Sequence, residues 1–184
     1  MKDIEKVIEA HNSAVEKFSR SLSSIEKASL LLISCLKNGN KILLCGNGGS
    51  AADCQHFAAE LTGRFQKERK GLAAIALTVD TSALTAISND YTFAEVFARQ
   101  VEALGKQGDV LVSFSTSGNS ENIIRAMAKA SSLGMKNLAI TGRGGKMASM
   151  ADICISVDET ITARIQEVHS LAVHILCEMI EKEF

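Results

Sequence analysis

The sequence predicts a three-layer α/β/α fold: a doubly wound, five-stranded parallel sheet with a helical extension at its N-terminal end. Three observations lead there. Short continuous apolar runs recur at residues 41–45, 73–78, 109–115, 136–140 and 153–157, the pattern of strands buried on both faces. Stretches of helical period separate them, as a parallel sheet requires of its crossovers. No proline occurs anywhere, so none interrupts an element. The 184 residues are read as one domain, with a helical arm over 1–38 and an α/β core over 41–184.

In the arm, apolar residues recur at Ile4, Val7 and Ile8 and again at Ala14, Val15 and Phe18. A second, more apolar part runs from Leu22 to Leu36. Such an arm packs either on a partner subunit or on its own core. Asn38-Gly39-Asn40 stops it. The core then alternates. Strand 41–45 leads to a helix over 50–63, strand 73–78 to helices at 82–88 and 93–104, and strand 109–115 to a helix over 119–133. Strand 136–140 leads to a short helix at 146–150, and strand 153–157 to a long closing helix over 160–183. In such a sheet, ligands sit beyond the carboxyl ends of the strands.

The bulk numbers exclude several classes. A net charge of −1, with Lys and Arg spread along the chain, gives no basic footprint for nucleic acid. The longest apolar runs are too short to span a bilayer. The residues 1–6 lack the apolar core of a signal peptide. Five cysteines, odd in number and without a CxxC pair, read as reduced thiols among apolar neighbours. The expected location is cytoplasmic.

Four patterns carry chemistry. The first is Cys45-Gly46-Asn47-Gly48-Gly49-Ser50, a glycine-rich strand-to-helix turn that lets backbone approach an anion. It satisfies a loose dinucleotide fingerprint, but the acidic residue expected about twenty positions on is missing. The second is Ser115-Thr116-Ser117-Gly118-Asn119-Ser120, four hydroxyls and a glycine at a helix N-terminus. One hydroxyl suffices for a cap; four make a phosphate cradle.

Third, Asp53, His56, Glu60 and Arg64 fall within roughly 80° of one another at about 100° per residue. The pair His56 and Glu60, four apart, suits two metal ligands, a positioned general base or a solvated helix pair. Fourth, the closing helix carries Gln166, His169 and His174. Its apolar arc centres on Ile165, Val168, Ala172, Ile175, Leu176 and Met179, which encloses His169 as a satisfied, partly buried ring. His174 faces the polar side and is the better catalytic candidate. His11 is read as solvated surface. Asn89-Asp90 reads as turn chemistry after a short helix.

Together these motifs resemble the sugar isomerase (SIS) domain family, and within it the phosphoheptose isomerases, over nearly the whole chain. The residues that carry the likeness are 45–50, His56-Phe57-Ala58-Ala59-Glu60-Leu61-Thr62-Gly63-Arg64, Asn89-Asp90, 115–120, Thr141-Gly142 and Arg164-Ile165-Gln166-Glu167 with His174. The resemblance implies a flavodoxin-like sheet and a ketose–aldose isomerase acting on sedoheptulose 7-phosphate through an enediol. Its product would be the heptose 7-phosphate that feeds lipopolysaccharide or capsule. It implies a homotetramer with shared active sites and a zinc ion held by His56, Glu60, Gln166 and His174. Glu60 is then the general base and His174 the partner acid. Substrate contacts fall to Asn47, Gly48, Gly49, Ser50, Glu60, Asn89, Asp90, Ser115, Thr116, Ser117, Ser120 and Gln166. Two positions depart from some relatives: Ala59 replaces a second glutamate and Ala163 an aspartate. The alternative is a non-catalytic SIS protein that associates with the replication initiator; such proteins lack the acid at Glu60 and the imidazole at His174, and this chain has both. A sugar-phosphate-sensing regulator is weaker still, since no DNA-binding segment accompanies the domain.

Overall fold

The computed structural model describes residues 1–184. The arm is α1 (Lys2–Phe18), a short 3-10 turn and α2 (Leu22–Lys37). The core follows as β1 (Ile42–Gly46), α3 (Gly49–Thr62), β2 (Ala74–Ala76), α4 (Thr81–Asp90) and α5 (Val96–Leu104). Then come β3 (Val110–Ser115), α6 (Glu121–Ser132), β4 (Lys136–Thr141), α7 (Lys146–Met150), β5 (Ile153–Ser156) and α8 (Thr162–Glu181). All strand pairs are parallel and the order is β2-β1-β3-β4-β5. This is the flavodoxin-like order, whose topological switch point lies between β1 and β3.

Alternate residues of each central strand feed two separate cores. Ile42, Leu44, Val110, Val112 and Phe114 pack under α1, α2, α3 and α8. Leu43, Cys45 and Leu111 face the other way, under α5, α6 and α7. Every residue of β1 and β3 is therefore buried, which is why these strands read as unbroken apolar runs. No helix is long and apolar enough to cross a membrane. All five cysteines are free, and burial pushes the thiols of Cys45 and Cys177 up to about 12.

Several expectations need correction. The second strand shrinks to Ala74–Ala76, because it forms the sheet edge and its Ile75 is exposed. Asn89 and Asp90 form no turn; they are the last two residues of α4, which begins at an Asp80 cap. Phe93–Glu95 is a 3-10 turn ahead of α5. The arm divides: Ala14 and Phe18 are buried, whereas Ile4, Val7 and Ile8 are exposed.

His11 keeps a side chain that is 41% exposed, as expected of the surface, but it has a partner. Its Nδ1 lies 2.8 Å from Glu167 Oε2, and Arg164 donates to the Val7 carbonyl at 2.8 Å, so polar ties join α1 to α8. On α8 the buried face extends past the expected arc to Val173, Cys177 and Ile180, leaving Ile175 and Met179 half-buried. The rotation follows from α8 packing against α1, α2 and α3 together. His169 is fully buried, edge-on to Phe114 at 6.0 Å, and neither ring nitrogen makes a hydrogen bond of good geometry. The expected satisfied ring is thus an unsatisfied one. Burial pulls its pKa down to about 4, and the backbone at Thr141 offsets only part of that.

Candidate active site

Gly46 pairs with Phe114 and Ser115 with Thr141, so the turns after β1 and β3 leave neighbouring strands at the same level. Beyond β3, Ser115 Oγ lies 3.1 Å from Ser120 Oγ and 3.4 Å from Ser117 Oγ. Ser120 is the N-cap of α6, yet its hydroxyl makes no capping bond. It turns instead into a cavity of about 80 Å³ shared with Ser50, Ser115, Thr116 and Ser117. Asn47 and Gln166 close that cavity. The Ile123 amide already donates to the Ser120 carbonyl at 3.1 Å, which leaves the leading amides of Glu121 and Asn122 without an acceptor in their own helix, and its dipole favours an anion there. With no acidic side chain in its lining, this space suits one phosphate group. Gly118 makes the loop possible: it holds φ +66°, and a Cβ there would meet the Gly144 carbonyl at 1.8 Å.

The glycine turn after β1 aims α3. Its Asn47 exchanges two hydrogen bonds with Asn122 in the first turn of α6, at 3.0 and 2.9 Å. At Gly49 a Cβ would lie 2.6 Å from Gln166 Nε2, so α8 approaches this turn only because a side chain is missing. Higher on the same two helices, three side chains converge. His56 Nε2 is 3.1 Å from Glu60 Oε1 and 3.4 Å from His174 Nε2. One ligand atom from each lies within 4.8 Å of the others. Two imidazole nitrogens and a carboxylate oxygen are a donor set that suits zinc. The Phe65 ring lies 5.7 Å from that of His174.

The expected polar stripe on α3 splits. Asp53 is buried and accepts from Ser170 of α8 at 2.8 Å; burial raises its pKa, while Ser170 and His56 partly offset this. Arg64 lies past the end of α3, exposed and turned to Gln66 and Glu68. Asn89 donates to Asp90 at 2.9 Å, and neither side chain bonds a residue of the cradle or of the histidine group. Within one chain, then, the structure brings together Asn47, Ser50, Ser115, Thr116, Ser117, Ser120 and Gln166, and above them His56, Glu60 and His174. It leaves Asn89 and Asp90 apart.

The SIS domain profile matches residues 7–142. The chain belongs to the SIS domain family. Its relatives in that family include a phosphoheptose isomerase of Helicobacter pylori (strain P12), 58% identical over 183 residues that cover 98% of this chain and 95% of that one. The structure of a phosphoheptose isomerase from Neisseria gonorrhoeae superimposes with a TM-score of 0.94 at 48% identity, over 98% of both chains. One from Francisella tularensis gives 0.91 at 40% identity, over 99% of this chain and 100% of that one. The phosphoheptose isomerase branch is thereby shown as well.

The profile match stops before α8, which carries Gln166 and His174; the full-length relatives extend across it. Three contributors to this SIS site carried no sequence signal of their own. Asn122 looks like any first-turn helix residue, Phe65 like a loop apolar, and Ser170 like a surface serine. Each is recognised only by its partner: Asn47, His174 and Asp53.

Proposed function

We propose that this chain interconverts D-sedoheptulose 7-phosphate and D-glycero-D-manno-heptose 7-phosphate, the first step toward the activated heptose of a bacterial surface polysaccharide. The observation that carries this reading is the meeting of Glu60 and His174, from two different helices, above a hydroxyl-lined cavity. Ser115, Thr116, Ser117 and Ser120 hold the phosphate, with the α6 amides. The sugar runs past Asn47, Gly48, Gly49, Ser50 and Gln166 toward the histidine group. Glu60 removes the proton next to the ketose carbonyl and returns it to the neighbouring carbon, through an enediol. His174 moves protons between the two oxygens, for which an imidazole is suited near neutral pH. His56, Glu60, Gln166 and His174 are the residues that would hold zinc. A zinc ion bound there supplies Lewis acidity toward the carbonyl oxygen. Ala163 is exposed and offers no acid at that position.

The working unit we infer is a homotetramer of cytoplasmic subunits, each a single 1–184 domain. Ile4, Val7 and Ile8 on α1 and Tyr91 and Phe93 after α4 are exposed apolar side chains that subunit contact would cover. Asn89 and Asp90 would reach a sugar only across such an interface, as residues lent to a neighbour. The test is incubation of the purified protein with sedoheptulose 7-phosphate, with and without a chelator, following the aldose phosphate by NMR. Aldose signals that appear, and slow with chelator, support the reading. Their absence at saturating substrate overturns it.

A further inference from the structure

The segment between α3 and β2, residues 63–73, has no regular structure, yet it begins one turn after Glu60. Two buried side chains fix it. Arg69 donates from Nη2 to the carbonyl of Glu60 itself at 2.8 Å, and from Nη1 to the carbonyl of Leu61 at 2.9 Å. A cation thus caps the carbonyl end of α3, where the helix dipole favours it. From the last turn of α8, the Glu181 carboxylate accepts from the amides of Phe65 and Gln66 at 3.0–3.2 Å. Arg69 Nε lies 3.6 Å from Glu181 Oε1, and both side chains are only 4% exposed. Burial opposes the charge on Glu181, but the amides at Lys67, Gln66 and Phe65, with Arg69, hold its carboxyl below the usual range.

This effort is out of proportion for a surface loop unless what the loop carries matters. It carries Phe65, whose ring is tilted 32° to that of His174 at 5.7 Å. His174 is exposed, and its one hydrogen-bonding contact within the chain is the 3.4 Å approach to His56. Packing against the His56 ring at 5.0 Å and the Phe65 ring at 5.7 Å therefore sets its orientation. The same pair of buried charges fixes the backbone under Glu60.

We propose that Arg69 and Glu181 are positioning residues, a buried brace that holds the Glu60 turn and, through Phe65, the His174 ring in their reacting arrangement. The proposal rests on the functional reading that assigns proton transfer to Glu60 and His174. It makes a distinct demand: because the phosphate cradle is formed by other elements, loss of the brace acts on turnover and leaves substrate binding alone.

The test uses two variants of the full chain. Phe65→Ala removes the contact without disturbing any buried charge. The double variant Arg69→Met/Glu181→Leu removes both charges at once, so neither is left buried alone. For each, kcat and KM are measured, and the ring Cε1–H signal of His174 is recorded by NMR on metal-free protein, assigned with His174→Gln. The expected result is a kcat lower by about 10- to 100-fold, as for other residues that support a site from outside it, with KM within about twofold, and a shifted His174 signal. An unmoved His174 signal in the double variant, which keeps the Phe65 ring and so its ring current, overturns the brace whatever the activity. So does a rise in KM at unchanged kcat. If the unaltered protein fails to isomerise sedoheptulose 7-phosphate, the functional reading falls, and the His174 signal alone still decides the brace.

Discussion

The turns after β1 and β3 occupy equivalent places on neighbouring strands, and both open a helix, yet they do opposite things. At the β3 turn the side chains are the instrument: hydroxyls of Ser115, Ser117 and Ser120 point at one another across a small cavity. At the β1 turn the absence of side chains is the instrument: Gly49 lets Gln166 come close and sends α3 off at the angle that brings His56 and Glu60 to His174. One turn works through the side chains it has and the other through the ones it lacks. Local sequence similarity to an anion loop therefore does not distinguish the two turns; the inward direction of the hydroxyls does.

The division of labour is open to attack, and the hardest blow falls on the aiming side. Glu60→Gln should lower kcat by about 10²- to 10⁴-fold with KM within a few-fold, read in steady-state assays. Full turnover would remove Glu60 as the base. On the β3 side, His169 packs against Phe114 beneath the cradle and is held neutral. The folded pKa, about 4, lies below the ordinary 6.5. As pH falls from 6.5 to 4 the unfolded chain takes up a proton that the folded chain refuses, so stability drops over that window, by about 3 kcal/mol at its lower end. Urea unfolding at pH 7, 5.5 and 4.5 should show this loss, and His169→Phe should flatten it.

Gly49→Ala comes next. The added methyl meets the far end of a flexible side chain, so the melting temperature should stay within a few degrees. Displacing Gln166 should still cost about 10-fold or more in kcat/KM. Equal loss of stability would mean the turn is structural rather than aiming. The smallest effect belongs to Ser120→Ala, which should raise KM about 10-fold at unchanged kcat, the loss of one hydrogen bond to a charged group. Because Ser120 makes no capping bond, the usual loss of about 1 kcal/mol for an N-cap should be absent from its unfolding curve. If that loss appears, the hydroxyl is a cap and the cradle is short by one donor.

The fold was legible because periodicity reports burial. β1 and β3, covered on both faces, read as continuous apolar runs, and the alternation with helices left only a parallel sheet. The edge strand β2 was misjudged in length for the same reason, since Ile75 is apolar but exposed. The hydroxyls of 115–120 stand out in the sequence because they lie within six residues, whereas Ser50, which lines the same cavity, comes from the other turn. The histidine group could be placed only in part: spacing puts His56 beside Glu60, but their approach to His174, 114 positions beyond Glu60, depends on how α3 and α8 pack. The surroundings of His11 and His169 are not legible in the sequence, because helical position gives a side, not a neighbour. His11 lies beside Glu167, and His169 has only the Thr141 backbone near it, too poorly aligned for a good hydrogen bond.

The reciprocal amide pair between Asn47 and Asn122 has a consequence for anyone redesigning this protein. Each carboxamide uses its oxygen and its nitrogen on the other, so aspartate at either position brings two acceptors face to face and leucine strands a donor and an acceptor. The two loops cannot be transplanted separately. A library that varies residues 46–50 alone will return mostly dead clones, whereas one that moves 46–50 and 115–122 as a single cassette keeps their spacing and searches only what the ligand sees.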